Sequence, residues 1–266
     1  MPASHDQDYV LPSSASESAR LERQGRLYGG TDFLEPFLDE APARVLDVGC
    51  GTGFFSRHVA ERLPGSRVVG VDMDGGRLSY AWELGQPPNM RFEEGDLTEL
   101  PFDDATFDLV FCRFVLIHAP DPAASLAEMA RVAQLGGRVV AYEMVHDGIW
   151  FSPEKPAFSR VLAEAMRVMR ERGMEPSQGL HLGPAMVRAG LAEVQVEVIP
   201  HACMAGDPAF EGYRQNWIET IAGLDEILGE AFDRPLVDQA VAELSDHRPD
   251  QFLVELTILA SGTMKA

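Results

Sequence analysis

Cysteine is scarce in this chain of 266 residues: Cys50, Cys112 and Cys203 are all it has, and no two stand at Cys-x-x-Cys spacing. An odd, scattered set argues against a disulfide framework and a zinc site, and fits a reducing compartment, the cytoplasm. Lysine is scarcer still. Lys155 and Lys265 stand alone among 22 basic residues, a skew that GC-rich coding explains. Against those 22 are 42 acidic residues, a formal net charge of −20. A field of that sign repels phosphate backbones and anionic membrane surfaces, so no nucleic-acid partner is expected. No apolar run reaches the ~18 residues of a transmembrane helix. The polar, Ser-rich stretch Met1–Ser18 also lacks the apolar segment of a secretory leader. What remains is ordinary, 45% hydrophobic and 24% charged, enough for one large domain or two small ones.

Residues up to about 15 read as a tail. Ser16–Tyr28 reads as a helix rich in Glu and Arg, stopped by Gly29-Gly30. Phe33, Leu34, Phe37 and Leu38 suggest a second, core-facing helix. From Arg44 short apolar runs alternate with helical stretches. The runs are Arg44–Val48, Arg67–Asp72, Met90–Glu94, Phe107–Phe111 and Gly137–Tyr142; the helices are Phe54–Leu63, Gly75–Leu84 and Pro122–Gln134, the last capped by Asp121. That alternation predicts βαβ units and a parallel sheet. Later come helices at Pro156–Arg172, Pro208–Leu228 and Pro235–Leu244, and strands at Ala192–Ile199 and Phe252–Ala260.

The strongest signal is Val45-Leu46-Asp47-Val48-Gly49-Cys50-Gly51-Thr52-Gly53, a buried strand running into a glycine turn that opens a helix. Such a turn lets a ligand approach the backbone closely. A second strand, Val68-Val69-Gly70-Val71-Asp72, ends in a carboxylate about 20 residues on, where α/β nucleotide folds place the acid that holds ribose hydroxyls. The spacing is Gly-x-Gly-x-Gly, no Gly-Lys-Ser/Thr follows, and the helix opens on Phe54-Phe55 rather than on a cleared phosphate site. Asp47 at the strand end suits a ligand bearing a positive or amino group. These features favour S-adenosylmethionine over NAD or ATP.

From Arg44 to Glu143 the chain resembles the class I S-adenosylmethionine-dependent methyltransferases. Val45–Gly53 is similar to that family's first motif and Val69–Asp74 to its second. Phe92–Leu97 is similar to the third-strand motif, Phe107–His118 to the fourth strand and its exit, and Leu135–Val140 to the loop into the fifth strand. Asp8–Leu11 with Arg20–Gln24 is similar to a subgroup related to the quinone-biosynthesis methyltransferases. The resemblance implies an α/β fold: a Rossmann-like, seven-stranded, mostly parallel sheet with the last strand antiparallel, flanked by helices. It implies a tail and lid helices over residues 1–40, and a methyltransferase domain over 41–266 with helical cover inserts at about 144–190 and 203–250. It implies cofactor contacts from Gln24, Tyr28, Asp47, Gly49, Gly51, Asp72, Met73, Asp96, Leu97 and Arg113. Of these, Asp72 bridges the ribose hydroxyls, Met73 packs on adenine, and Asp96 accepts from the adenine amino group.

The fourth strand leaves as Cys112-Arg113-Phe114. It carries neither the Asn/Asp-Pro-Pro-aromatic tetrapeptide of amino-group methylation nor a carboxylate set for a hard cation, so no metal is expected. Direct transfer to a small, apolar or aromatic acceptor in quinone or secondary-metabolite biosynthesis remains. A base for the departing proton is most naturally a histidine. His118 follows the fourth strand, His146 follows the fifth, and His181 lies in Gly179-Leu180-His181-Leu182-Gly183. The apolar residues of the inserts, Trp150, Phe151, Phe158, Met166, Met169, Met174, Met204, Phe210, Tyr213 and Trp217, read as core more than as pocket. Two rivals keep the cofactor: non-methylating cyclisation or decarboxylation on the same fold, and sensing without catalysis. A homo-oligomer is compatible with the sequence.

Overall fold

The computed structural model describes residues 15–119, 121–224 and 232–265. The tail expected before residue 15 lies outside them, and the helix expected over Pro208–Leu228 stops at Ala222 with Gly223 as its cap. Alternation of apolar runs with helices produces five strands in parallel register. These are β1 (Arg44–Val48), β2 (Arg67–Asp72), β3 (Met90–Glu94), β4 (Phe107–Arg113) and β5 (Ala133–Ser152). Two further strands, β6 (Leu191–Met204) and β7 (Phe252–Met264), complete a sheet of order β3-β2-β1-β4-β5-β7-β6, with β7 antiparallel. The order reverses between β1 and β4. A crevice outside their carboxyl ends is where such sheets bind ligands.

The helices are α1 (Ala15–Gly25), α2 (Glu35–Leu38), α3 (Phe54–Arg62), α4 (Gly75–Glu83) and α5 (Pro122–Val132), then α6 (Pro156–Glu171), α7 (Leu182–Arg188), α8 (Pro208–Ala222) and α9 (Arg234–Ser245). Capping sets several starts. Asp74 accepts from Gly76 and Arg77 amides, and Asp121 from Ala123 and Ala124 amides at 3.0 Å each, with Pro122 next to it. The strands β1 and β2 are buried after their first residue, as expected of a sheet covered on both faces.

The chain divides into two compact units. One comprises, among the described residues, those of Ser13–Val145, Ser177–Ile199 and Thr257–Ala266. The other, among the described residues, comprises His146–Pro176 and Pro200–Leu256. In the second, Phe158, Phe210, Tyr213 and Trp217 are core side chains, whereas Trp150 and Met204 are exposed. No helix among the described residues is long and apolar enough to cross a membrane.

Four strands run longer than their apolar cores, the fourth by two residues, from the expected end at Phe111 to Arg113. The fifth, expected over Gly137–Tyr142, begins at Ala133, which pairs with Phe107. A register shift between Phe107 and Leu109 then absorbs Gln134-Leu135-Gly136. The helix before it accordingly stops at Val132, two residues short of the expected Gln134. At its far end, Gly148 lets the backbone pass Leu256, where a Cβ would stand 2.9 Å from the Leu256 side chain. The strands expected at Ala192–Ile199 and Phe252–Ala260 also extend, to Met204 and Met264.

Candidate cofactor site

The glycine turn sits at the carboxyl end of β1, and Gly49, Gly51 and Gly53 all have positive φ. Their surroundings differ. A Cβ on Gly53 would lie 2.3 Å from the Phe92 ring, so packing excludes a side chain there. A Cβ on Gly51 would meet nothing within 4 Å. Its missing side chain leaves an open cradle rather than relieving a clash.

Asp72, at the end of β2, borders that cradle. Its Oδ2 accepts from the Gly51 amide at 2.8 Å and its Oδ1 from the Asp74 amide at 3.0 Å. Each oxygen keeps a lone pair for a further donor. Burial raises its pKa, opposed by those amides and by Arg77. Asp47 is 3% exposed and its Oδ2 accepts from the Ser56 hydroxyl at 2.6 Å, so it braces the first turn of α3. Burial pushes the Asp47 carboxyl up to about 7, and the Asp72 charge adds to the rise. Asp96 turns its Oδ1 to the Thr98 amide and hydroxyl, both at 2.7 Å. Leu97 beside it is buried, and Met73 is half-buried.

Helix α1 lies against this turn. Glu22 Oε1 accepts from the Thr52 hydroxyl and from Arg57 Nη2, each at 2.6 Å. Gly25 permits the approach, since a Cβ would stand 2.7 Å from the Phe54 ring. At the carboxyl end of α1, Arg113 Nη2 donates to the carbonyls of Gln24 at 3.4 Å and Leu27 at 3.1 Å. The Arg113 guanidinium lies 4.1 Å from the Phe114 ring centroid and 4.7 Å from that of Phe55. A cation there also meets the negative end of the helix dipole. Tyr28 is 1% exposed, and its carbonyl accepts from the Tyr142 hydroxyl at 3.1 Å. Tyr28 and Arg113 are thus engaged inside the protein, and the Gln24 side chain is half-buried.

The three histidines are not equivalent. His118 closes the one-turn helix Leu116–His118 after β4 and is half-buried. His181 belongs to the same unit and is exposed. His146 belongs to the other unit, where its Nδ1 lies 2.5 Å from the Pro176 carbonyl and its ring meets Trp217 edge-on. A carbonyl only accepts, so Nδ1 carries the proton and Nε2 the lone pair. Burial lowers the His146 pKa.

Sequence reasoning missed four participants. Glu22, Thr52 and Arg57 are surface-type residues 30 and 35 positions apart, and no spacing rule joins them. Glu143 is fully buried on β5 and accepts two backbone amides from the loop after β4. Its one signal was a lone acid inside the apolar run Val139–Val145.

Residues 46–141 match the family model described as a methyltransferase domain. Over 185 residues the chain is 32% identical to a ubiquinone biosynthesis O-methyltransferase of Hahella chejuensis, covering 67% of this chain and 74% of that one. The chain belongs to the class I S-adenosylmethionine-dependent methyltransferases. This methyltransferase is also 43% identical, over 108 residues and 40% of its length, to a demethylmenaquinone methyltransferase of Deinococcus radiodurans. It spans about half that relative, 45%. Among solved structures, phosphoethanolamine N-methyltransferase 2 of Haemonchus contortus, in complex with phosphomonomethylethanolamine and S-adenosylhomocysteine, aligns with TM-score 0.63 at 18% identity. That alignment covers 100% of this chain and 62% of the other. The [4+2]-cyclase SpnF aligns with TM-score 0.57 at 20% identity, covering 90% and 82%. Both likenesses speak for the fold. The cofactor of the family is S-adenosylmethionine, and an open glycine cradle beside a ribose-type acid fits it.

Proposed function

We propose that this methyltransferase moves the methyl group of S-adenosylmethionine to a small, apolar or aromatic acceptor, of quinone or secondary-metabolite type, without a metal. The observation that carries the reading is the Gly51 cradle bordered by the two free lone pairs of Asp72. S-adenosylmethionine supplies a methyl group already activated on a sulfonium. The chain has to hold, align and keep water out. Asp72 would take the ribose hydroxyls and Met73 one face of adenine. Asp96, with one oxygen uncommitted among the described residues, would take the adenine amino group beside the Leu97 backbone. The Gly49–Gly51 backbone and Asp47 would line the methionine end. Gln24, Tyr28 and Arg113 would act through the segment that α1 brings to the glycine turn.

The acceptor class rests on the two quinone-type relatives. Where the acceptor is a hydroxyl or phenol, one proton leaves as the methyl arrives. His118 at the exit of β4 is the first candidate to take it, followed by His146 and His181. Reduced demethylmenaquinone is the probe acceptor. His118→Ala is expected to lower kcat by about 10²–10⁴-fold, the usual contribution of a general base, with cofactor affinity unchanged. A fall of less than about tenfold in each of the three single variants would leave carbon methylation at an enolate-like centre, or proximity alone, as the account.

The likeness to a cyclase favours one second reading, a cofactor held for non-methylating chemistry. Release of S-adenosylhomocysteine in step with product separates the two. The cytoplasm is the proposed location.

A further inference from the structure

We propose that Glu143 is a positioning residue that fixes the loop Val115–His118, and with it the His118 imidazole, at the carboxyl edge of the sheet. The inference rests on reading that edge as the reacting one. Glu143 has no exposed surface, and its Oε1 accepts from the Val115 amide at 2.8 Å and the Leu116 amide at 2.7 Å. Val115 in turn holds the last residue of the loop, its carbonyl accepting from the His118 amide at 2.9 Å. The path from Glu143 to His118 is therefore two hydrogen bonds long. Val115 also packs where a Cβ on Gly49 would stand, 2.5 Å from its side chain, so the loop is pinned between Glu143 and the glycine turn.

A glutamine could satisfy the same two amides without a charge, but its NH2 would stand where Oε2 stands and bury two donors with no partner among the described residues, whereas a carboxyl needs at most one. Both amides point at Oε1, so a proton, when present, sits on Oε2, which has no hydrogen-bond partner among the described residues. Burial pushes the carboxyl up to about 7, against the pull of the Leu116 and Val115 amides, of Arg113 and of the Ile117 amide. The Cys112 thiol also faces it, and burial, then Glu143 itself and Asp47, push that thiol up, so it stays protonated. Ionised, the clamp makes charge-assisted bonds to the loop; protonated, it makes weaker ones.

Amide resonances of the full-length chain test this without an acceptor. The Val115 and Leu116 amide protons are expected to shift together with pH, with a midpoint of about 7, and Glu143→Gln to abolish the shift while both amides stay slow to exchange. Glu143→Ala is expected to expose both amides to exchange. It should also lower kcat toward reduced demethylmenaquinone at least tenfold, with S-adenosylmethionine affinity by calorimetry held within threefold. Glu143→Gln is expected to recover most of that rate. In a double-variant cycle, adding His118→Ala to Glu143→Ala should cost less than the sum of the two. Amides indifferent both to pH and to Glu143→Gln would overturn the proposal. So would a Glu143→Ala protein that melts lower but keeps wild-type kcat. Should Glu143→Ala not fold, the wild-type titration and Glu143→Gln still decide. Absence of any methyl transfer by the wild type would sink the proposed function alone, since the amide titration does not depend on it.

Discussion

In the proposed site, Asp72 would serve the protein and the ligand with the same two oxygens. Each accepts one backbone amide, which shapes the glycine turn, and each has a lone pair left over. Removing the carboxylate should therefore cost binding at a closed, charge-assisted contact. Asp72→Ala is expected to weaken S-adenosylmethionine by about 2–4 kcal/mol in a calorimetric titration. Unchanged affinity would remove Asp72 from the site. Asp47 carries a different prediction, on stability. Its folded pKa, about 7, is raised above the ordinary 3.8 by burial, so the folded state holds the proton more tightly than the unfolded one. Stability from this group is fullest below about pH 4 and falls as the pH climbs toward 7. Asp47→Asn should lose that dependence. Urea unfolding at pH 4 and pH 8 is expected to show the variant gaining on the wild type by about 2–4 kcal/mol across the interval. A constant difference would mean that Asp47 is not buried as described.

At the scale of elements, α1 is tied down twice near its carboxyl end. Glu22 reaches Thr52 and Arg57 on the glycine turn and α3, while Arg113 holds the carbonyls behind Gln24 and Leu27. Loss of the first tie should loosen the turn more than the fold. Glu22→Ala is expected to weaken S-adenosylmethionine about tenfold with little change in Tm. Loss of the second should free the segment that carries Arg23 and Arg26, both already exposed. Arg113→Leu is expected to speed tryptic cleavage there, and equal rates in variant and wild type would show that Arg113 does not hold the helix. The elements themselves were legible wherever an apolar run met a firm stop. β1, β2 and β3 begin and end where the sequence places them, since Asp72 and the glycines of the first turn mark their ends. β5 was not legible to its full length. Gln134-Leu135-Gly136-Gly137 reads as a break, but a register shift carries pairing through it. The docking of α1 was not legible at all, because a contact between Glu22 and Arg57 depends on where the intervening strand places them.

For the whole molecule, the motifs from Arg44 to Glu143 fall in one of the two compact units, and that stretch was enough to read the cofactor and the fold, while Asp8–Leu11 lies outside the described residues. The described residues of the other unit carry none of these motifs. Its aromatic residues pack on one another, as Phe158 does on Trp217, and the Trp217 indole N–H donates to Glu255 at 2.7 Å. Periodicity reveals such a core, but not what it selects, which is why the acceptor is read from relatives rather than residues. Transfer of a labelled methyl group decides the central claim. S-adenosylmethionine carrying a ¹³C methyl is incubated with the full-length chain and reduced demethylmenaquinone, and both products are followed by mass spectrometry. The account predicts label in the acceptor and an equal amount of S-adenosylhomocysteine; an acceptor turned over without label, or a cofactor left intact after turnover, would contradict it.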